Sequence, residues 1–494
     1  MNVKDLFFTA ILFFLASVTI SAHPSGPVAQ TQATINVKQF GATGDGQHDD
    51  TDAINKALLI LGEHGGSLYF PPGLYLSKTI SITSKPYTSI IIRGEKGKTI
   101  IRRTGGRVAL FFSESLNSRL VFRDLILDGA SDYSPSKWTQ ERDGTLLVDD
   151  EVNGIYVYNA SSLEVYACVI KKFHGKGIAA FSTDRFIARD NKVTEVNNSG
   201  INGHRVNYME VTNNKIFHTG FVPDSFYLRG KVFYRKTNKP VTRFGDGIEA
   251  ECDRLLATGN TIVNPGRCGI VHDLGKDLGY KTRSADIRRN AIRIDSEDIL
   301  NNNPPAGIWC EQTGDLVVSQ NSIYLIRCAA KVISGIRFFN TDGRINCQDN
   351  IIDATKINQQ MAAAISVLEP TSEYAEISGN QLTGRFKSGI AVSYERDEAY
   401  LGRLLMLHNL VNLYGHTTGL LVTVKSTKKF PAAIGLTNNQ FSGAGLNPFY
   451  FAVYGGKAIQ KNILGLQNTG NTLNKHQITK EQSKALSVIA EMHE

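Results

Sequence analysis

The sequence predicts an all-β chain built as a single-stranded parallel β-helix of about ten to twelve coils, closed at its N-terminal end by a capping helix. Three observations predict it. Ten asparagines recur before short apolar runs: Asn191, Asn214, Asn260, Asn290, Asn321, Asn350, Asn380, Asn409, Asn439 and Asn471, with steps of 29 to 32 residues from Asn260 onward. Gly-Ile, once Ala-Ile, keeps pace with them at Gly154, Gly177, Gly200, Gly247, Gly269, Gly307, Gly335, Ala364 and Gly389. Between these marks lie β-rich runs such as 177-GIAAF-181 and 186-FIARDNKV-193, broken at Gly, Asn or Asp and mostly without a helical period. Leucine-rich repeats are excluded by the missing leucine spacing. Propeller blades are disfavoured because the repeat is too short for four strands.

Each element follows in order. Residues 1–22 read as a secretory signal, with Lys4 before the apolar stretch Leu6–Ile20 and a cleavage point after Ala22. The expected location is therefore secreted or periplasmic. Residues 23–33 are a polar linker. The β-helix domain is expected over 34–475. Within it Ala53, Ile54, Ala57, Leu58 and Leu61 have helical spacing after the capping candidates Asp49, Asp50, Thr51 and Asp52. Such a helix would cover the open apolar core and unpaired edge of the first coil. At 476–494 a helical segment is expected, where Thr479 and Gln482 form a capping box. In each coil the asparagine is expected to take the left-handed corner and to stack as an amide ladder, with Cys168 in place of its first member.

Six cysteines (168, 252, 268, 310, 328 and 347) lie inside repeats without the spacing of a disulfide or zinc framework. They read as buried small hydrophobes, with room for one or two bridges. The net charge is +8 and the pI about 9.0. That balance suits an anionic partner such as a uronate or sulfated polysaccharide, and also an ordinary basic surface. Phosphate loops, His-Glu-x-x-His and nucleophile elbows are absent. Nucleic acid and membrane are not expected partners.

The N-terminal segment carries Phe40-Gly41-Ala42, Gly44-Asp45-Gly46, Asp49-Asp50-Thr51, Ala53-Ile54, Gly65-Gly66, Tyr69-Phe70-Pro71-Pro72-Gly73 and Tyr75. In these residues it resembles the pectate-lyase-3 type of the pectin-lyase-like superfamily, which includes polygalacturonases and some phage tailspikes. With the asparagine ladder, the resemblance runs from about residue 34 to 475. It implies a right-handed β-helix acting on carbohydrate. It leaves the reaction open. The ordered polygalacturonase motifs do not appear, and Gly203-His204-Arg205 and Gly245-Asp246-Gly247 are only fragments of them.

Strand alternation from each Gly-Ile puts the second and fourth residues after the Gly outside. The fourth-position column reads Tyr158, Phe181, His204, Glu251, Asp273, Glu311, Phe339, Leu368. The second reads Tyr156, Ala179, Asn202, Glu249, Val271, Trp309, Arg337, Ser366. Three coils thus stack Glu251, Asp273 and Glu311. Like charges one rung apart repel, so such a column calls for a proton, a cation or a reaction. Glycosidic hydrolysis needs two carboxyl groups, and neighbouring and alternate coils approximate the retaining and inverting separations respectively. Glu251, Asp273 and Glu311 are the catalytic candidates. Glu249, His204, Arg205, Arg337, Trp309, Tyr156, Tyr158, Phe339 and Arg235 are the substrate-binding candidates. His272 falls inside on this register and reads as a buried, hydrogen-bonded histidine.

Insertions at 131–153 and 219–246 precede two of the Gly-Ile marks and are expected to wall the column. The second sets Arg229, Lys231, Arg235, Lys236, Lys239 and Arg243 among Phe226, Tyr227, Phe233 and Tyr234, a composition that would clamp an anionic sugar chain. Three functions follow: a glycoside hydrolase needing no cofactor, a polysaccharide lyase or uronate C5-epimerase using His204 with Arg205 or Arg337 and Ca²⁺ held by the acids, or a glycan binder without catalysis. The column is also compatible with a solvated sheet face.

Overall fold

The computed structural model describes residues 33–114, 116–130, 137–140, 146–148, 152–220, 225–228, 231–234, 245–273, 284–296, 305–328, 333–394, 396, 399–425, 433–454, 466–478 and 491–492. The folded unit is Thr34–Glu494. The expected signal sequence and nearly all of the linker lie outside the described residues. So does 479–490 of the expected C-terminal helix. The described Glu491–Met492 is a short strand paired with Val453 and Tyr454.

The chain is a right-handed parallel β-helix whose coils each contribute three short strands. In one coil these are Val152–Tyr158, Ser162–Tyr166 and Val169–Phe173. The first and second faces belong to one 27-stranded sheet, because the long strands Ile201–Thr212 and Ile248–Thr258 run through both. The third face is a 16-stranded sheet. The inward positions are mostly apolar, and one continuous core runs from Val37 to Ile478.

The asparagine ladder lies between the second and third faces. Asn290 is typical: its backbone N–H and its Nδ2 both donate to Oδ1 of Asn321, at 3.0 and 2.9 Å, and Nδ2 also donates to the Ala257 carbonyl at 3.0 Å. The same pattern links each member to the next from Asn191 to Asn471. Cys168 begins the series by donating its N–H to Asn191 Oδ1. The amides are thus buried and satisfied, as a dry corner demands. The left-handed residue differs from the expectation. It is the one before each asparagine: Asp190, Asn213, Gly259, Arg289, Gln320, Asp349, Gly379, His408, Asn438 and Gly470 all have φ between 52 and 68°. That sharp turn carries the strain and aims the next side chain inward, so the ladder asparagine needs only its amide, not its tolerance of positive φ.

The Gly of Gly-Ile has a different cause. A Cβ on Gly307 would sit 2.6 Å from the Gly335 carbonyl oxygen and 2.6 Å from Cγ2 of Ile323, and the other members meet the same two neighbours. At Gly307 two backbones and a β-branched side chain converge, leaving no volume for a methyl, although Ala364 holds one at its own coil. Gly307→Ala is expected to lower stability by about 2 kcal/mol through overpacking, measurable as a fall in denaturation midpoint. An unchanged midpoint would contradict this close-approach account.

The helix Thr51–His64 buries Ile54, Ala57, Leu58 and Leu61 against the first coils, as its spacing predicts. Asp50 plays another part than capping. It is 2% exposed and accepts from the N–H groups of Thr43 and Gly44 at 2.6 and 3.2 Å, which ties down the Gly-rich loop of the N-terminal motif. Asp49 instead accepts the Thr51 N–H. Cys168, Cys252, Cys268, Cys310 and Cys347 are buried free thiols, so none of these five takes part in the bridges the sequence left room for. The two insertions meet: Leu146–Val148, Lys137–Gln140, Ser225–Leu228 and Lys231–Tyr234 form a four-stranded sheet in that order. Arg235 lies outside the described residues.

Candidate functional site

The register of the first face sets the site. His204 pairs with Glu251, Ala250 with His272, Asp273 with Glu311, and Glu311 with Phe339. Glu251, Asp273 and Glu311 therefore occupy consecutive rungs, about 4.8 Å apart along the axis. Tyr158 and Phe181 precede His204 in the same column. The neighbouring outward column runs Asn202, Glu249, Val271, Trp309, Arg337. His272 points inward. It is fully buried and bonds through its ring nitrogens to the Cys252 carbonyl at 3.0 Å and Thr313 Oγ1 at 3.2 Å, and burial lowers its pKa to about 4.

All four carboxylates are pushed towards the protonated form. Burial, then Glu249 and Asp273, raise Glu251 to about 7. Burial raises Asp273, with Arg267 opposing. Burial and Asp273 raise Glu311 against the pull of Arg337, Arg267 and Trp309. Glu249 is raised by burial and by Asp246, while Ser199 Oγ and Asn202 Nδ2 donate to its Oε2 at 2.7 and 3.0 Å. His204 Nδ1 contacts Glu251 Oε2, and burial together with Arg205 and Lys176 lowers the imidazole's pKa. Arg205 is exposed and holds the left-handed turn that ends this stretch of strand, at φ 54°.

Aromatics flank the acids on both sides. Before them Tyr156, Tyr158 and Phe181 stack, with Tyr158 and Phe181 parallel to within 4° at 5.7 Å, and Phe181 abuts His204 at 5.3 Å. After them Arg337 lies over both Trp309 and Phe339, at 4.8 and 5.6 Å, and Arg396 adds a second cation over Phe339 at 5.2 Å. From Tyr158 to Phe339 is six rungs, a strip of roughly 29 Å.

Three groups escaped the sequence reading. Asp246, wholly buried, is bidentate to Arg267 at 3.0 and 2.6 Å and accepts the Cys268 N–H at 2.9 Å. Arg267 so held lies 5.8 Å over Trp309. Lys176 places its ammonium 5.8 Å over Phe181 and lowers the pKa of Glu249 and Glu251, so a lysine does serve this face although none stands in either column. All three sit at the bend just before Gly-Ile, where strand alternation assigns no direction. Their signal was the residue at or near the position before the Gly. Among the described residues no group of three or more His, Cys, Asp or Glu is arranged to hold a metal ion.

One consequence is a stability that depends on pH. The Glu251 pKa rises from 4.5 to about 7 on folding, so its contribution is full below 4.5 and is lost as pH climbs through 7. Glu251→Gln should leave the melting temperature at pH 4 unchanged and raise it at pH 8 by about 2 °C. A lower melting temperature at pH 8 would show that the carboxylate is not strained there.

A family model described as rhamnogalacturonase A/epimerase, pectate lyase-like, matches residues 34–119, and one described as right handed beta helix region matches residues 148–293. The chain thus has a pectate-lyase-like N-terminal segment followed by a right-handed β-helix region. It is similar to mannuronan C5-epimerase AlgE1 of Azotobacter vinelandii, 32% identical over 129 residues, or 23% of this chain and 9% of that protein. It is also similar to plasmin and fibronectin-binding protein A of Streptococcus pneumoniae, 50% identical over 48 residues, or 9% of this chain and 7% of that one. The chain thus spans less than a tenth of the length of either relative. Among solved structures, the A-module of mannuronan C-5 epimerase AlgE6 of A. vinelandii aligns over 83% of this chain and 98% of its own, at 17% identity and a TM-score of 0.49.

Proposed function

We propose that this is an exported carbohydrate-active enzyme that hydrolyses glycosidic bonds in an anionic, uronate-containing polysaccharide, using carboxylates of the first face and no cofactor. The observation that carries the reading is the unbroken run of half-buried, outward-facing Glu251, Asp273 and Glu311 on consecutive rungs between two aromatic platforms. Nothing in fold stability asks for stacked acids. Glycoside hydrolysis does, because it needs one carboxyl protonated and one ionised.

In this reading Glu251 is the acid. Its raised pKa keeps the proton available near neutrality, and it passes that proton to the glycosidic oxygen as the bond breaks. Asp273, one rung away and beside Arg267, attacks the anomeric carbon. Glu251, now ionised, then takes a proton from the water that releases the sugar. Glu249 and Glu311 hold sugar hydroxyls. His204 and Arg205 bind substrate beside Glu251. Tyr156, Tyr158, Trp309 and Phe339 stack on sugar faces, while Arg337 meets a uronate carboxylate. Arg235, on the second insertion, is proposed to contact the same chain.

One observation favours a second reading, a lyase or C5-epimerase. A 129-residue stretch is 32% identical to a mannuronan C5-epimerase. That chemistry would use His204 as base, with Arg205 or Arg337 neutralising the substrate carboxylate, and Ca²⁺ among the acids. A screen of uronate-containing plant and algal polysaccharides separates the readings. The hydrolase gives new reducing ends without ultraviolet absorbance. Unsaturated ends, or a calcium requirement with no cleavage, would move the assignment to the second reading. A wild-type chain that binds without product would leave only a glycan-binding β-helix.

A further inference from the structure

The second face carries a feature that the carboxylate column does not use. Seven consecutive strands of it, Ser89–Arg93, Arg119–Arg123, Ser162–Tyr166, Arg185–Arg189, 208–212, 254–258 and Ser284–Arg288, hold seven arginines, no lysine and three carboxylates. Register sorts the arginines into two outward columns. One reads Arg119, Ser162, Arg185, Tyr208, Arg254 on successive rungs. The other holds Arg93, Arg123, Arg189 and Arg288. All but Arg93 are exposed.

The three carboxylates are all engaged. Glu164 is bidentate to Arg119 at 2.7 and 2.9 Å, Glu210 pairs with Arg189, and Asp286 pairs with Arg288. Among the described residues Arg185 and Arg254 have no carboxylate within 4.0 Å, and they flank Tyr208, with Arg254 lying 5.5 Å over its ring. In the first column arginine recurs every second rung, about 9.6 Å apart. Exposed ion pairs add little to stability, and two uncompensated guanidinium groups add none. Arginine without lysine is the choice where planar, bidentate recognition of carboxylate or sulfate matters.

We propose that this face is a second, non-catalytic binding strip for a linear anionic polysaccharide. Arg185, Tyr208 and Arg254 form its centre. The strip grips carboxylate or sulfate groups along the chain, and Tyr208 offers a sugar-stacking face. It shares with the proposed function only the anionic nature of the glycan, and does not depend on the first face being a hydrolase.

The test uses the full chain and polygalacturonate, with binding followed over a range of NaCl concentrations and dextran as the uncharged control. The Glu251→Gln variant serves as background so that no polymer is consumed. Arg185→Gln/Arg254→Gln should bind polygalacturonate about tenfold more weakly at low salt, with a shallower dependence on NaCl. Arg185→Lys/Arg254→Lys should retain the salt dependence but recover only part of the affinity. Cleavage of short oligosaccharides by Arg185→Gln/Arg254→Gln in the otherwise native chain should match wild type. Undiminished binding by that variant overturns the proposal. So does equal binding of dextran, or tighter binding of duplex DNA than of polygalacturonate. A failed hydrolase assignment would abolish the cleavage readout and leave the binding result standing.

Discussion

Glu251→Gln is expected to lower kcat on the natural polysaccharide by about 10³-fold, because an amide of the same shape has no proton to give. The loss should depend on the leaving group. An aryl glycoside whose phenol departs without protonation should restore much of kcat/KM to Glu251→Gln, with kcat still limited by the unassisted second step, while Asp273→Asn, lacking its nucleophile, should stay inactive on both substrates. The wild-type pH profile carries the same signature. Burial and the neighbouring Glu249 and Asp273 place the Glu251 pKa at about 7, so kcat/KM should fall as pH rises through that value. Glu251→Gln should lose that alkaline limb. Steady-state kinetics on the two substrate types check both points, and an Asp273→Asn variant with wild-type turnover would remove this carboxylate from the chemistry.

Asn321→Ala should be the most damaging single change to the fold. Asn321 Oδ1 accepts both the backbone N–H and the Nδ2 of Asn290, and its own Nδ2 donates to the Ile287 carbonyl at 2.9 Å. Truncation strands two donors and one acceptor in a corner with no solvent exposure at Asn321. Each stranded group costs about 1–3 kcal/mol, so the total is on the order of 4 kcal/mol. The nearly isosteric Asn321→Asp keeps the acceptor for Asn290 but turns a second oxygen, with nothing to donate, on the Ile287 carbonyl and Asn350 Oδ1, and should be no better. Chemical denaturation checks this. Hydrogen exchange should further show faster opening confined to the coils around Asn290 and Asn321, since repeats are stabilised by their nearest neighbours.

Much of this architecture could be read from local signals. The Gly-Ile marks locate the start of each first-face strand, and alternation from them places Glu251, Asp273, Glu311 and the inward His272 on the register that the strand pairing displays. The reason is physical: a parallel coil forbids a one-residue slip, because the slip would turn every isoleucine outward. The helix over residues 51–64 was legible for the same reason, from its buried stripe. Where strand periodicity ends, the reading stops. Asp246, Arg267 and Lys176 sit at the bend before the strand; Asp246 meets Arg267 from the next coil, and Lys176 acts on Glu249 and Glu251 from an earlier one. The left-handed residue was displaced by one because a turn and its neighbour's side chain share a single composition signal: Asn213 and Asn214 are both asparagine, yet only the first has positive φ. The joining of the two insertions into one small sheet depends on pairing between segments about ninety residues apart, Lys137 with Tyr227, which no local pattern encodes.

The most direct test of the central claim, that an adjacent-rung pair of carboxylates performs the cleavage, is the anomeric configuration of the first sugar released by wild type, followed by proton NMR before mutarotation. Glu251 and Asp273 one rung apart predict retention, since that separation leaves no room for a water between acid and sugar. An inverted first product would contradict this assignment and shift the second carboxylate to Glu311, two rungs from the acid.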